Sequence, residues 1–285
     1  KRLGQIAEGN QAWLKLEHKG RIHGSVNTIG TVSGRCSHHH PNMAQVPAVR
    51  AEYGKECRAL FTAPEDRVLV GADASGLELR CLAHYMYQWD KGSYAKEILE
   101  GDIHTANQQA AGLETRDQAK TFIYAFLYGA GDKKIGEIVG GSSREGKKLK
   151  ASFMSKIPAI KSLTSAVHLQ VEKHGYLLGL DGRMLPCRSM HSALNLLLQS
   201  AGAVVMKQAL VEFEMDNKDI PYELHANVHD EVQFSCNKKQ ADALGHSFVS
   251  AIIKAGRILN FNLSLIHISE PTRRTPISYA VFCLK

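Results

Sequence analysis

Two stretches of the chain place acidic residues at the end of a short apolar run. Residues 67–75, RVLVGADAS, form a compact apolar run typical of a buried strand, and Asp73 stands where that strand ends. In residues 227–236, NVHDEVQFSC, apolar positions alternate on both sides of Asp230 and Glu231. This alternation predicts a β-hairpin whose tip carries the two carboxylates.

Helical periodicity occupies most of the chain between these strands. From Leu77 to about Gly140 the apolar positions recur with a helical period, and glycines interrupt the segment. A second run, residues 193–215, predicts a long buried helix. The first forty residues are rich in Gly, Ser, Thr and Asn, which favours hairpins and loops. The order β, α, β indicates an α+β domain with a helical insertion.

Composition narrows the class of protein. With 285 residues, 44% of them hydrophobic and 22% charged, the chain is globular rather than disordered or collagen-like. The net charge of +7 favours a polyanionic partner, with nucleic acid as the first candidate. The six cysteines lie far apart without a CxxC pair, so we expect no disulfides and a reducing compartment. We find no signal peptide and no apolar run approaching a membrane span, and therefore expect a soluble, cytoplasmic protein without a membrane partner.

Three further features have ordinary structural interpretations. Residues 133–156 carry a local net charge of +5, which is typical of a solvated helix face. The consecutive histidines 38–40 cannot all point at one metal ion and are better explained as a polar loop. Cys81 and Cys236 are interpreted as packing residues rather than nucleophiles.

The candidate chemistry begins with Asp73 and Asp230. Each ends a predicted strand, and a sheet that pairs the two strands would bring the carboxylates side by side although they are 157 positions apart. Close carboxylates repel each other unless divalent cations lie between them, and hard oxygen ligands suit Mg²⁺, which also binds phosphates. The alternative for either residue alone is a solvated turn aspartate.

A helix face with two cations and two tyrosines gives the second candidate. In RDQAKTFIYAFLYG, Arg116, Lys120, Tyr124 and Tyr128 recur every four residues and therefore share one broad face of a helix. Cations can bind the phosphates of a nucleoside triphosphate while an aromatic ring lies against its base or sugar. An ordinary amphipathic surface is the alternative interpretation.

These motifs together resemble those of family A DNA polymerases, and most of all the replicative polymerases of T-odd-type bacteriophages. GADASGLELR, RDQAKTFIYAFLYG and NVHDEVQFSC are similar to the three polymerase motifs of that family, in the same order. SGR, PNMAQVP, GDIHT and LNLLLQSAGA add to the likeness, which covers roughly residues 20 to 262. The resemblance implies a polymerase palm, an antiparallel sheet with helices, and a helical fingers insertion.

The resemblance also implies a metal site and a catalytic centre. It assigns Asp73 and Asp230, with the backbone carbonyl of Ala74, as ligands of two Mg²⁺ ions. His229 and Glu231 would complete the hairpin near the primer terminus, with Glu231 counted among the catalytic residues and His229 among those that bind DNA.

The remaining roles implied by the resemblance concern the nucleotide and the duplex. The triphosphate would be contacted by Arg116, Lys120 and His104, while Tyr124 would stack beside the incoming sugar. Glu78, braced by Tyr128, would be the steric gate that excludes a 2′-hydroxyl. The residues expected to contact primer-template DNA, mainly in the minor groove, are Arg35, Gln45, Asn195 and Gln199.

The same resemblance predicts how the chain is divided. We expect the thumb and exonuclease domains to be absent, and with the thumb any site for a processivity factor. The last 23 residues, from Leu263, resemble a translated sequencing adapter and are set aside from the fold. The expected segments are 1–90 (first part of the palm, with a thumb remnant), 91–190 (fingers), 191–262 (second part of the palm) and 263–285 (an artefactual tail).

The resemblance therefore implies the core of a phage DNA polymerase that transfers nucleotides from dNTPs to a primer in the cytoplasm of an infected bacterium. Three alternatives stay open. The same carboxylates suit a two-metal nuclease, although a nuclease has no use for a helix that binds triphosphates. An inactive basic DNA-binding module and a single-subunit RNA polymerase are the others; intact Asp73 and Asp230 argue against the first, and Glu78 against the second.

Overall fold

A computed structural model describes residues 2–261 and 272–273 of the chain. Within this part the chain forms two compact units. The first contains residues 2–75 and 205–255 with the strand at 272–273, and the second contains residues 76–204 and 256–261.

The helices and strands are numbered in chain order. The strands are β1 (Glu17–His18), β2 (Arg21–Ile22), β3 (Ser25–Asn27), β4 (Ser37–His39), β5 (Arg67–Asp73), β6 (Tyr176–Leu178), β7 (Met184–Pro186), β8 (Tyr222–Val228), β9 (Glu231–Asn237) and β10 (Thr272–Arg273). The helices are α1 (Trp13–Leu16), α2 (Gly54–Ala59), α3 (Leu77–Asp90), α4 (Ser93–Glu100), α5 (Ile103–Ala111), α6 (Arg116–Leu127), α7 (Asp132–Ile138), α8 (Ser143–Lys156), α9 (Pro158–His174), α10 (Ala193–Asp216) and α11 (Ala241–Ile258). Single π- or 3₁₀-helical turns lie at Gly4–Glu8, Met43–Gln45, Met190–Ser192 and Lys238–Gln240.

The first unit is built on an antiparallel sheet with the strand order β10-β5-β9-β8. Side chains alternate between the two faces of a strand, so one face of β5 and β9 carries Val70 and its partner Phe234. The ring of Phe234 lies 5.1 Å from that of Phe213 on α10 and 5.2 Å from that of Phe248 on α11. This aromatic cluster is the core on that face.

The opposite face of β5 is covered by the N-terminal segment. Leu69 belongs to a buried cluster with Trp13, Ile22 and Phe61. The rings of Trp13 and Phe61 meet edge to face with centroids 5.1 Å apart. The sheet is therefore buried on both faces at its centre. The N-terminal segment contains the predicted hairpins, and also the short helices α1 and α2, which the composition did not indicate.

The second unit is mostly helical, as the periodicity from Leu77 onward predicts. It contains α3 to α9, the β6–β7 hairpin and the first half of α10. Local sequence starts these helices: Thr115 with Gln118 forms a capping box at α6, and Ser142 with Glu145 forms another at α8. The rings of Phe122 and Phe153 join α6 to α8 with centroids 5.1 Å apart.

The apolar helix α10 corrects one expectation. Residues 189–206 contain no Asp, Glu, Lys or Arg. Among the described residues, the helix at 190–216 is long and apolar enough, by length and composition alone, to cross a membrane. A buried core helix meets the same criteria, and Ala201, Met206 and Phe213 are at most 1% exposed. The predicted long buried helix is thus present, whereas the statement that no apolar run approaches a membrane span was wrong.

Most of the smaller interpretations agree with the structure. In residues 133–156, six of the seven basic side chains are exposed, while Lys150 is half-buried and pairs with Asp132 at 3.0 Å. Cys81 and Cys236 are fully buried, and burial raises the pKa of the Cys236 thiol, which suits packing rather than nucleophilic attack. The five cysteines in the described part of the chain are free. The proposed tail, 263–285, lies outside the described residues except for β10, whose backbone pairs with Val70 and Gly71.

Candidate functional site

The predicted pair of strand ends is present in the first unit. Asp73 is the last residue of β5, and its direct partner across the sheet is Glu231, the first residue of β9. The backbone N–H of Ala74 donates to the carbonyl of Asp230 at 2.9 Å. This bond makes Asp73 and Glu231 a non-hydrogen-bonded pair, in which the Cα atoms are about 4.5 Å apart and the side chains lie on one face. Three carboxyl-bearing residues therefore meet at one end of the sheet.

The hairpin between β8 and β9 holds the remaining residues of this group. His229 and Asp230 form its two-residue turn and are exposed, and His229 has the left-handed φ of 61° that such turns require. Among the described residues no three His, Cys, Asp or Glu side chains converge on one point. The assignment of Asp73, Asp230 and the carbonyl of Ala74 as metal ligands stays a prediction.

A loop of the first unit, residues 28–35, carries the predicted DNA-binding residue Arg35, which is half-buried. Lys207 on α10 donates through Nζ to the carbonyls of Thr28 and, at 2.7 Å, of Gly34. The hydroxyls of Thr31 and Ser33 lie 3.0 Å apart and close the loop on itself. Lys207 therefore fixes both ends of the loop.

Two other polar positions of the first unit follow this loop. Gln45 is exposed at the end of a 3₁₀ turn that the Asn42 side chain caps. His38 lies within β4 and its Nε2 is 3.0 Å from the carbonyl of Asn227 on β8. His38 and His39 thus belong to strand β4 and not to the polar loop expected over residues 38–40, because they pair with β3.

In the second unit, α6 has the amphipathic character that its spacing predicts. The buried side of the helix is formed by Ala119, Phe122, Ile123 and Leu127. On the other side Arg116 and Lys120 are exposed and Tyr124 is half-buried. The four residues of the predicted face therefore lie together, with Tyr128 as the C-terminal cap of the helix.

Asp102 organises the cationic end of this face. Its carboxylate caps α5 by accepting the backbone N–H groups of His104 and Thr105. The same carboxylate accepts two hydrogen bonds from the Arg116 guanidinium, at 2.7 and 3.2 Å. The Arg116 guanidinium holds the pKa of the Asp102 carboxyl well below its usual range. Asp102 lies within the GDIHT motif, and neither its spacing nor the family resemblance assigned it a role.

His104 lies beside these cations as a neutral base. Partial burial, together with the nearby charges of Arg116 and Lys120, lowers the pKa of His104. Its buried Nδ1 has no hydrogen-bond partner among the described residues. The structure thus brings together the three residues predicted to contact a triphosphate.

The pair Glu78 and Tyr128 is also present as predicted. The Tyr128 hydroxyl donates to Oε1 of Glu78 at 2.9 Å, which joins the first turn of α3 to the end of α6. Gly129 follows with a φ of +72°, and a Cβ there would lie 2.0 Å from the carbonyl oxygen of His191. Only glycine fits behind Tyr128, so this backbone approach fixes where the tyrosine stands.

Asn195 and Gln199 lie one turn apart on α10 and are both half-buried. Residues four positions apart share a helix face, so their amides are presented together.

Three residues that the sequence patterns did not indicate support the predicted ones: Asp102, Lys207 and Gln233. The last is buried on β9, and its Nε2 donates to Oε1 of Glu231.

An antiparallel sheet that ends in paired carboxylates, in a chain that is otherwise mostly helical, defines an α+β protein. The model of DNA polymerase family A matches residues 6–266, and the chain belongs to that family.

Two similar phage proteins support the assignment of the chain to this family. The chain is 48% identical to the DNA-directed DNA polymerase of Enterobacteria phage T3 over 271 residues, covering 84% of this chain and 38% of the phage protein. The DNA-directed DNA polymerase of Escherichia phage T7 gives the same identity and coverage. The chain thus spans well under half the length of these relatives.

A solved structure shows the same fold. The chain superposes with a TM-score of 0.79 on the POL domain of Pol1 from M. smegmatis, a structure of a complex with DNA primer-template and dNTP. The match covers 92% of this chain and 49% of that one, at 23% sequence identity. The α+β palm-like architecture expected from the sequence is confirmed by this likeness.

Proposed function

We propose that this chain is the nucleotidyl-transfer core of a phage DNA polymerase, which adds nucleotides from dNTPs to the 3′-hydroxyl of a primer. The observation that carries the proposal is the pairing of Asp73 with the Asp230–Glu231 hairpin, in a member of DNA polymerase family A. The phage relatives are DNA-directed DNA polymerases, and the M. smegmatis structure holds DNA primer-template and dNTP, which supports DNA and dNTPs as partners.

The carboxylate end of the sheet fits divalent cations. Asp73 and Asp230 offer hard oxygen ligands, and the bond from Ala74 N to Asp230 O joins the hairpin to the backbone at Ala74, whose carbonyl is the proposed further ligand. Two Mg²⁺ ions bound there would lower the pKa of the primer hydroxyl and neutralise charge on the leaving pyrophosphate. The protein's own contribution is to hold these ligands rigidly at the end of a buried sheet, with Glu231 and His229 beside them.

The α6 face is proposed to hold the dNTP. Arg116 and Lys120 would bind the triphosphate, and neutral His104 would donate a hydrogen bond to it. Arg116 has to exchange part of its contact with Asp102 for the phosphates. Tyr124 would lie against the sugar, and Glu78, held by Tyr128, would exclude a 2′-hydroxyl.

The remaining site residues are proposed to bind the duplex. Arg35, Asn195 and Gln199 would donate to acceptors in the minor groove that all correct base pairs share, and Gln45 and His229 would contact the strands. We also propose that a processivity factor is a partner and that it binds outside this chain. The proposed location is the cytoplasm of an infected bacterium. A two-metal nuclease or an inactive DNA-binding module would use the carboxylates or the basic charge, but neither needs the α6 face.

The test is single-nucleotide primer extension with the full-length protein. Asp73→Ala and Asp230→Ala should each lower the incorporation rate by about 1,000-fold or more, while the affinity for the duplex stays unchanged, because each removes a ligand used in the transition state. Asp66→Asn, at the opposite end of β5, is the matched control and should keep the wild-type rate.

Two results would contradict the proposal. Retention of more than about a tenth of the rate in either aspartate variant, a cost under about 1.4 kcal/mol, would remove the two-metal role. Release of nucleotides from DNA by these carboxylates, with no dNTP incorporation by the wild type, would favour the nuclease.

A further inference from the structure

Gln233 is a buried polar residue in the middle of an apolar strand. It is 1% exposed, and its neighbours on β9, Val232 and Phe234, are fully buried hydrophobic residues. Strand alternation puts the Gln233 side chain on the same face as Glu231, which is two residues away. That face carries Asp73 as well, so Gln233 lies directly behind the pair of carboxylates.

The partner of Gln233 across the sheet is Gly71, and the glycine makes room for it. A Cβ on residue 71 would lie 2.8 Å from Nε2, 3.2 Å from Oε1 and 3.3 Å from Cδ of Gln233. The Gln233 side chain therefore passes over the Gly71 backbone and occupies the space that any other residue would fill. Gly71 has no left-handed φ, so its backbone conformation alone does not require glycine.

From this position the amide of Gln233 reaches Glu231. Nε2 donates to Oε1 of Glu231, whereas the amide oxygen of Gln233 is buried without a hydrogen-bond partner. A buried acceptor without a partner costs stability, and a leucine of similar volume would avoid that cost. Stability therefore does not account for the glutamine.

Like charges directly opposite each other on a sheet repel, and Asp73 faces Glu231 in this way. A neutral donor behind Glu231 holds its carboxylate back along β9 and fixes its rotamer beside the metal ligands. We propose that Gln233, lying over Gly71, is a positioning residue that holds the Glu231 carboxylate in place for nucleotidyl transfer. The catalytic part of this inference rests on the proposed function; the contact itself does not.

The first experiment measures the contact without using activity. In the ¹⁵N-labelled complete protein, the side-chain NH₂ of Gln233, identified by its loss in Gln233→Leu, should be strongly protected from hydrogen exchange. Glu231→Gln should shift this resonance and remove most of the protection, because the charged acceptor is gone. Ser235→Ala, on the same face of β9 and also buried, is the matched control and should leave the resonance unchanged.

The second experiment separates positioning from packing. Gln233→Leu should lower kcat for dNTP incorporation about tenfold with little change in KM, while the thermal unfolding midpoint stays equal or rises. Gly71→Ala should lower kcat similarly by displacing the amide, although it leaves glutamine in place. Since Gln233 acts through Glu231, adding Gln233→Leu to Glu231→Gln should cost no further activity.

The outcomes are distinguishable. A freely exchanging Gln233 amide, or losses of kcat that simply add in the double variant, would overturn the positioning role. A lower unfolding midpoint with unchanged kcat in Gln233→Leu would also overturn it, because that result describes a packing residue. A protected amide in a wild-type protein that incorporates no nucleotide would count against the proposed function, while the contact would stand.

Discussion

Individual side chains of this protein hold in place the side chains that carry the candidate chemistry. Asp102 joins the start of α5 to Arg116, and the Tyr128 hydroxyl joins the end of α6 to Glu78. Such bonds restrict rotamers at the site, so the functional groups are held before a substrate arrives. Removing the supporting partner should therefore change the selectivity for the substrate more than it changes the free energy of unfolding.

The pair Glu78 and Tyr128 gives a test at this scale. Tyr128→Phe removes one hydrogen bond to a carboxylate, which should relax the exclusion of ribonucleotides by about tenfold. Glu78→Ala should relax it further, and the double variant should not exceed Glu78→Ala alone. The measurement is the ratio of incorporation efficiencies for a ribonucleotide and the matching deoxynucleotide. Tyr87→Phe, on an exposed position of α3, is the control; an unchanged ratio in Tyr128→Phe would contradict the bracing role.

At the scale of elements, α10 supports a loop that is distant in sequence. Lys207 follows the apolar residues 203–206 of α10, and its ammonium group donates hydrogen bonds to the carbonyls of Thr28 and Gly34. The loop between these residues leads directly to Arg35. The helix therefore sets the position of a proposed minor-groove contact.

Lys207→Met should loosen this loop and weaken binding of primer-template DNA by about tenfold, as expected when hydrogen bonds to a charged donor are lost. Because Lys207 contacts carbonyls and not phosphates, the slope of log affinity against log salt should stay unchanged; loss of a phosphate contact would lower that slope by about 0.9. Fluorescence anisotropy over a salt series measures both quantities. Lys254→Met, an ion-paired lysine on α11, is the control. A reduced slope in Lys207→Met would show that the residue binds DNA directly.

The elements differ in how far the sequence predicts them. The apolar run of β5 and the four-residue spacing of α6 follow from local periodicity, so Asp73 and the face of Arg116, Lys120 and Tyr124 could be predicted. Lys207 and Gln233 could not, because Lys207 binds backbone carbonyls over 170 positions away and Gln233 lies over the glycine of another strand. A contact to backbone atoms, or to a glycine that has no side chain, produces no recurring pattern of residue types in the sequence.

Histidines are partly buried in both units of the molecule. Burial is the main cause that lowers the pKa of His38 and His225 in the first unit and of His84 in the second, and the pKa of His225 falls to about 4. The His225 ring lies in an irregular part of β8, with Nε2 2.8 Å from the Ser235 hydroxyl. Arg67 donates to the same hydroxyl at 3.1 Å, so a cation faces the ring and opposes its protonation.

These histidines predict how stability depends on pH. A histidine whose pKa is lower in the folded protein than its unfolded value of 6.5 takes up protons more readily in the unfolded chain. The contribution of these histidines to the free energy of unfolding should therefore be constant above about pH 7.5 and decrease as the pH falls from 6.5 toward 4. The carboxyls of Asp102 and Glu212 have lowered pKa values through their bonds to Arg116 and Lys254, so their contribution is lost only at lower pH, below their ordinary values of 3.8 and 4.5.

Urea unfolding of the chain at pH 8.0, 6.5, 5.5 and 4.8 measures this dependence in the window where histidines are the main groups that change charge. His225→Gln replaces a group that must stay neutral in the folded state with one that is always neutral. The variant should therefore lose less stability between pH 6.5 and 4.8 than the wild type, although it is less stable at pH 8 because the fit to Ser235 is disturbed. His246→Gln, on an exposed position of α11, should leave the pH dependence as it is. Parallel curves for His225→Gln and the wild type would show that the acid sensitivity of the molecule arises elsewhere, and a wild-type curve that rises on acidification would reverse the sign derived from burial.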